Sequence, residues 1–525
     1  MPTLFAGIDS STQGTKLVLI DQENLSVIHI DSVAYDQDLA RFGTKNGVIQ
    51  GLDTGVSESD PLMWIQALEV LFTRLGQSSI SPAAIRCISV SGQQHGLVTL
   101  DAEGSLTRST SKLWNDFSTE EECRILTQAV GGVDGMIAEV GNSQRTGYTA
   151  AKILHLARKE PEAFARTATC FLVHNFINWY LTGGRGGGIR VMEPGDTSGM
   201  ALRHPGKGCW SEKVLSAISP RLKAMLPPIH PADESIGFIG KDLCARFGFA
   251  PSCRIDAGCG DNMYGAVGTG NVTPGIVTVS LGTSGTAYTI LTEPYIDPSG
   301  EIAAFCDSTG KHLPLLCVSN LANGYKAVLE HYGLSHHDFN QIVCRTPAGN
   351  NGRLLIPWYI GERTPDVPVA APFYFGFEVN DFTRENLCRA VLEGHILNLY
   401  DGFRKMPIRP KEIRLTGGLS QSDAWCQTIA DVFEAETVPV EGEGAALGAA
   451  IHAAWVWRKE AGEEITLTEV CRPYVKLLEE RRKKPIAAHS AVYRTQRELF
   501  RALSERVRGK PSLQDPFLLR VRILS

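Results

Sequence analysis

The sequence has no excess of positive charge, no paired cysteines and no long apolar run, and each absence removes a class of function. Its 51 Lys and Arg residues are outnumbered by 57 Asp and Glu, which gives a net charge of −6 and a pI near 6.1. Such a chain has no electrostatic footprint for nucleic acid, and any anionic ligand must be held by local donors. The 13 cysteines are scattered without a Cys-x-x-Cys pair, and no N-terminal signal or membrane-length apolar span is visible. Reduced thiols, a cytoplasmic location and no membrane partner are therefore expected. Gly442, Gly444 and Gly448 approach a dinucleotide fingerprint, but the last glycine comes one residue too late for G-x-G-x-x-G, which disfavours a dehydrogenase.

What the chain does have is a duplication. Ser11-Thr12-Gln13-Gly14-Thr15 and Gly282-Thr283-Ser284-Gly285-Thr286 share the pattern Thr-x-Gly-Thr, each between strand-like apolar runs. Both read as β-hairpins with tight glycine turns. Glycine lets backbone N–H groups turn onto an anion and threonine adds a hydroxyl donor, so such a hairpin holds phosphate without the glycine-lysine loop of P-loop proteins. Two facing copies would clamp a polyphosphate. Only the first copy carries a carboxylate, Asp9, where the second has Ser280; a carboxylate beside phosphates calls for Mg²⁺ between them.

At 525 residues the chain exceeds one hydrophobic core. Strands are expected at Leu4–Asp9, Thr15–Asp21 and Val27–Tyr35, then a helix opened by Asp60-Pro61 with Leu62, Ile65, Leu68, Leu71 and Leu75 on one face. The meander restarts near Gly275. A long helix follows over Glu385–Met406, then a strand at Ile413–Thr416, a Gly417-Gly418 turn, a helix with Trp425, Ile429 and Phe433 inward, and an alanine-rich helix after Gly444. Two α/β domains are implied, divided near Arg254 as residues 1–254 and 255–508, with 509–525 a peripheral tail of no repeating pattern. The glycine run 183–188 and Pro227-Pro228 read as loops, and His331, His336 and His337 as surface residues, because no partner stands at zinc-ligand spacing.

Three segments carry candidate chemistry. Asp256-Ala257-Gly258-Cys259-Gly260-Asp261-Asn262 is a loop of mostly small residues ending in a carboxylate before a helix. Asp261 stands where a general base for a substrate hydroxyl could be, or where a simple helix cap would be. Ser91-Gly92-Gln93-Gln94-His95-Gly96 ends a buried strand in polar groups suited to sugar hydroxyls, and Trp114-Asn115-Asp116 offers an aromatic platform. Gly417-Gly418 with Ser422 could let a nucleoside lie against the backbone.

In this order the motifs resemble those of the FGGY carbohydrate kinases over nearly the whole chain. Gly7-Ile8-Asp9-Ser10-Ser11-Thr12 is similar to the family's first phosphate motif, Ser280–Gly285 to the second, Leu415-Thr416-Gly417-Gly418 to its adenosine motif and Gly260-Asp261-Asn262 to its catalytic segment. Gln93-Gln94-His95-Gly96 is most like the segment of members acting on xylulose, and Gly361–Pro365 and Trp114–Asp116 resemble that subgroup too. Gly147–Leu154 matches a family signature, with His155 where tryptophan is usual.

The resemblance implies an α/β fold of two actin- and hexokinase-like (ribonuclease H-like) domains with a catalytic cleft between them. The implied activity is ATP-dependent phosphorylation of a ketopentose, D-xylulose to D-xylulose 5-phosphate, with Mg²⁺ at Asp9 and Asp261 as base. Thr12, Gly14, Lys16, Gly282, Thr283, Ser284, Gly417, Gly418 and Ser422 would bind ATP; Gln94, His95, Trp114, Asn115, Asp261 and Asn262 would bind sugar. A homodimer is compatible with it. Ribulose, gluconate and glycerol remain alternative substrates, and an actin- or chaperone-like ATPase the alternative from another class.

Overall fold

The structure is a computed structural model describing residues 2–442, 444–512 and 514–524. In chain order the strands that matter here are β1 (Leu4–Ser10), β2 (Gly14–Asp21), β3 (Ser26–Ala34), β4 (Ile85–Gly92), β5 (Ser235–Phe238), β6 (Arg254–Asp256), β7 (Cys259–Gly260), β8 (Ile276–Leu281), β9 (Gly285–Thr289), β10 (His312–Val318), β11 (Glu412–Thr416), β12 (Glu436–Glu441) and β13 (Lys476–Leu477). The chain forms two units, each a mixed sheet with helices.

The first unit comprises the chain up to Val272, Leu291–Leu313 and Gly442–Val475. Its sheet runs β5-β6-β4-β1-β2-β3, with β7 also on β4. β1, β2 and β3 form an antiparallel meander, whereas β1, β6 and β7 all lie parallel to β4. Ile8, Leu17, Leu19, Ile88 and Val90 are fully buried.

The expected division at residue 254 does not describe this unit, because the helix Gly444–Glu460 returns to it and packs on β1, β4 and the helix Asp261–Gly268. Small residues make that approach possible. A Cβ on Gly7 would stand 1.9 Å from the Ala446 carbonyl oxygen, and one on Gly448 would stand 1.9 Å from that of Tyr264. Gly448 of the near-miss fingerprint therefore serves helix packing.

Asp60 caps the helix Pro61–Gln77 by accepting from Leu62 N at 2.8 Å. Its buried face is Met63, Trp64, Leu68, Leu71 and Leu75; Leu62, expected inward, is 52% exposed. The stripe centres on the bulkier indole, and burying such side chains is worth about 1.5–3 kcal/mol each.

The second unit comprises Thr273–Ile290, Pro314–Glu441 and the chain from Lys476 onward. Its sheet runs β10-β9-β8-β11-β12-β13 and repeats the first: an antiparallel meander β8-β9-β10, then β11 and β12 parallel to β8. The expected long helix spans Arg384–Phe403, and Trp425, Ile429 and Phe433 are buried on the helix Asp423–Phe433.

The expected featureless tail is instead a helix, Pro516–Leu524, packed on the helix Ala487–Val507. Leu519 is buried, the Phe517 ring lies 5.3 Å from that of Phe375, and Arg520 Nη2 donates to Gly376 O at 2.9 Å. Asp515 accepts from Phe517 N at 2.8 Å, the same Asp-Pro start as at Asp60.

Candidate functional site

In the first unit the parallel strands bring three distant segments together at their carboxyl ends. Ser10 of β1 and Gly260 of β7 both register with Gly92 of β4. The loop after β1, the Gln93-Gln94-His95 segment and Asp261-Asn262 are thereby neighbours, as expected where ligands bind open α/β sheets.

Asp261 opens the helix Asp261–Gly268 but does not cap it. The cap position is Gly260, which has no side chain to cap with. Asp261 Oδ1 instead accepts from Asn262 Nδ2 at 2.9 Å, and the same nitrogen donates to Gln94 Oε1 at 2.8 Å. Burial is the main reason the Asp261 carboxyl is pushed up to about 8, and the charges of Asp9 and Asp196 add to it. A carboxyl with this proton affinity is suited to take a proton from an alcohol near neutral pH.

Asp9 lies on β1 opposite Lys16 of β2, and Ser91 Oγ donates to its Oδ1 at 2.7 Å. Desolvation raises its pKa, partly offset by that hydroxyl and by the Lys16 charge. The loop after β1 is closed by Ser11 N donating to Gly14 O at 3.0 Å. Trp114 Nε1 donates to Thr12 Oγ1 at 2.9 Å, and Thr12 Oγ1 donates to Gln93 Oε1 at 3.3 Å. Trp114, the loop after β1 and Gln93 are thus one hydrogen-bonded assembly. Asn115 Oδ1 accepts from Ser57 Oγ at 2.7 Å, and Asp116 is fully buried against Lys112 and Ser118 as a framework residue.

His95 has a left-handed backbone, φ +66°. A non-glycine residue holds that conformation only when its surroundings fix it. Lys152 Nζ donates to His95 O at 2.6 Å and Thr149 Oγ1 at 3.2 Å. The ring lies 4.8 Å from Tyr148 and 5.8 Å from Phe305, and a Cβ on Gly199 would stand 2.5 Å from its Cε1. Burial pushes the Lys152 ammonium down to about 7, against the opposing charges of Asp116 and Asp196.

The sequence reading did not single out Asp196, which is fully buried and accepts from Gln94 Nε2 at 3.3 Å. The only local signal was Glu193-Pro194, an acid-proline helix start; Glu193 accepts from Asp196 N at 2.7 Å.

In the second unit, Ser280 of β8 registers with Thr416 of β11. The Gly282–Ser284 loop and the Gly417-Gly418 turn consequently share one sheet end. Gly417 has φ +86°, and a Cβ there would lie 2.7 Å from Leu281 O, whereas Gly418 has open space around its Cα. Thr283 and Ser284 are exposed. Ser422 caps its helix by accepting from Trp425 N at 3.4 Å and donates to Asn340 Oδ1 at 2.6 Å, so its hydroxyl is engaged by the fold.

Among the described residues no helix is long and apolar enough to cross a membrane, and no group of three or more His, Cys, Asp or Glu side chains could hold a metal ion.

Comparison with known proteins gives consistent matches. Residues 4–268 match the N-terminal domain of the FGGY family of carbohydrate kinases, and residues 277–457 match its C-terminal domain. A Haemophilus influenzae protein named xylulose kinase is 35% identical over 493 residues, covering 92% of this chain and 95% of the relative. A crystal structure from Brucella ovis, described as a "xyloylose kinase", superposes with a TM-score of 0.85 at 25% identity, covering 96% of this chain and 99% of that one. The gluconate kinase of Lactobacillus acidophilus shares the fold, with a TM-score of 0.84 at 22% identity over 97% and 98% of the two chains.

Proposed function

The chain belongs to the FGGY family of carbohydrate kinases, and from that premise we propose that it transfers the γ-phosphoryl group of ATP to the terminal hydroxyl of D-xylulose. The observation that carries the reading is the Asp261–Asn262–Gln94 constellation: a carboxyl poised near neutrality, hydrogen-bonded into a shelf of amide groups. Asp261 takes the proton of the attacking hydroxyl. Phosphoryl transfer otherwise asks the protein for position and neutralisation of charge. Gln94, His95 and Trp114 orient the sugar, while the Gly282–Ser284 loop and Gly417-Gly418 hold the nucleotide. Transfer requires the donor phosphate to reach the hydroxyl presented to Asp261.

Mg²⁺ fits the donors at Asp9. One desolvated carboxylate without a cage of further acidic side chains suits a hard cation whose remaining ligands are water and phosphate oxygens. When bound, the ion neutralises phosphate charge, and Asp9 would hold it with Lys16 opposite.

A shelf that hydrogen-bonds several hydroxyls leaves polar groups unpaired when a smaller polyol binds. D-Xylulose should therefore lead, D-ribulose trail and glycerol be nearly inert. ADP release measured over D-xylulose, L-xylulose, D-ribulose, gluconate and glycerol tests this. Highest kcat/KM for glycerol or gluconate overturns the xylulose assignment, and no stimulation by any sugar overturns the kinase reading.

A further inference from the structure

The helix Val173–Leu181 begins beneath the Gln94 shelf, and its second residue, His174, is fully buried. Two glycines make room for it. A Cβ on Gly92 would stand 2.8 Å from His174 N, and one on Gly258, at φ +74°, would stand 3.0 Å from His174 Cδ2. Nδ1 of the ring lies 3.4 Å from Asp196 Oδ2; Nε2 lies 3.4 Å from Glu193 Oε1 and 2.8 Å from Asn175 Nδ2. From Asp196 the contacts continue through Gln94 and Asn262 to Asp261. One chain of polar contacts thus joins His174 to the candidate base.

The chemistry of that chain has a direction. An amide such as Gln94 presents a donor at one end and an acceptor at the other, and either end could face Asn262. An ionised Asp196 only accepts, so it holds Gln94 Nε2 and leaves Oε1 for Asn262. A protonated Asp196 has a donor too and would accommodate both orientations.

We propose that His174 is the positioning residue of the sugar shelf: Asn175 Nδ2 donates to its Nε2, so the ring carries its proton on Nδ1 and turns a donor toward Asp196, which keeps buried Asp196 an acceptor, and Asp196 fixes the Gln94 amide in the orientation that engages Asn262 and Asp261. The inference rests on the reading of Gln94 as a sugar-binding residue. Burial raises the Asp196 pKa, and His174 opposes that rise most strongly.

Two measurements on the full-length protein decide it. Neutron crystal structures of the ligand-free wild type and His174→Gln, which distinguish the amide oxygen from the deuterated nitrogen, read the Gln94 orientation: the Asn262 contact should persist in the first and be lost or reversed in the second. In steady-state kinetics, His174→Gln should raise the sugar KM about tenfold or more, as expected when a buried charge loses its partner, with the ATP KM within about twofold. Asp196→Asn alone should raise the sugar KM in the same way and free the Gln94 amide, because an amide at position 196 offers a donor as well as an acceptor; a merely space-filling role for His174 predicts no such effect. If His174→Gln does not fold, Asp196→Ala must displace Gln94 in its place. An unmoved Gln94 amide with an unchanged sugar KM overturns the proposal. Wild-type protein that turns over no sugar refutes the kinase reading alone, because the Gln94 geometry still decides the role of His174.

Discussion

Replacing Asp261 by asparagine should make this protein more stable as it makes it inactive, and the stability gain should depend on pH in one direction. The folded-state pKa of about 8 lies far above the ordinary 3.8. Between these values the unfolded chain has released the proton that the folded chain still holds, so wild-type stability falls as pH rises. Each unit is worth about 1.4 kcal/mol, which over roughly four units sets a ceiling of about 6 kcal/mol. Asp9 and Asp196 titrate together with Asp261, and the residue keeps some solvent contact, so about half of that ceiling is expected. Asp261→Asn carries no such proton. Its melting temperature should match wild type near pH 4.5, climb above it through pH 6 and 7, and level off past pH 8 with an advantage of about 3 kcal/mol. Sugar-dependent ADP release should meanwhile fall by about two to four orders of magnitude, the usual worth of a positioned base. A melting difference that does not grow with pH would refute the assignment of Asp261 as a desolvated carboxyl. Turnover above about a tenth of wild type would remove it from the role of base.

Other perturbations separate the remaining parts. Asp9→Ala should shift the Mg²⁺ requirement of the reaction, whereas Thr283→Val should mainly raise the KM for ATP; superimposable Mg²⁺ titrations of wild type and Asp9→Ala would contradict the asymmetry of the two hairpins. Lys152→Met keeps the buried stem but loses the bond to the His95 carbonyl, so the sugar KM should rise about tenfold with ATP binding by calorimetry intact. Leu519→Ala should cost about 2–3 kcal/mol in chemical denaturation if the helix Pro516–Leu524 is an integral layer of the second unit, and almost nothing if it is a loose appendage.

The sequence by itself determined the parts whose physics is local. Strand-like apolar runs on either side of Thr-x-Gly-Thr pointed to hairpins, and both loops, Ser11–Gln13 and Gly282–Ser284, join antiparallel strands. The break from apolar to polar after Ser91 marked the end of a buried strand, which closes at Gly92. Asp60-Pro61 announced a helix, and Asp515-Pro516 carried the same signal.

Tertiary structure decided what depends on who meets whom. Parallel registry of β1, β4 and β7 sets Thr12, Gln94 and Asp261 side by side, although residues 12 and 261 are far apart in the chain. Only packing shows that Trp114 bonds Thr12, that Ser422 is engaged by Asn340, and that the helix Gly444–Glu460 belongs with the first sheet. Asp196, His174 and Lys152 were illegible for the same reason: read along the chain, none of them shows its partner, and the role of each comes from burial beside groups brought in from other elements. Local propensity fixes hairpins and helix starts because neighbours along the chain supply the interactions; proton affinity and hydrogen-bond direction come from neighbours in space, so they exist only once the sheet has formed.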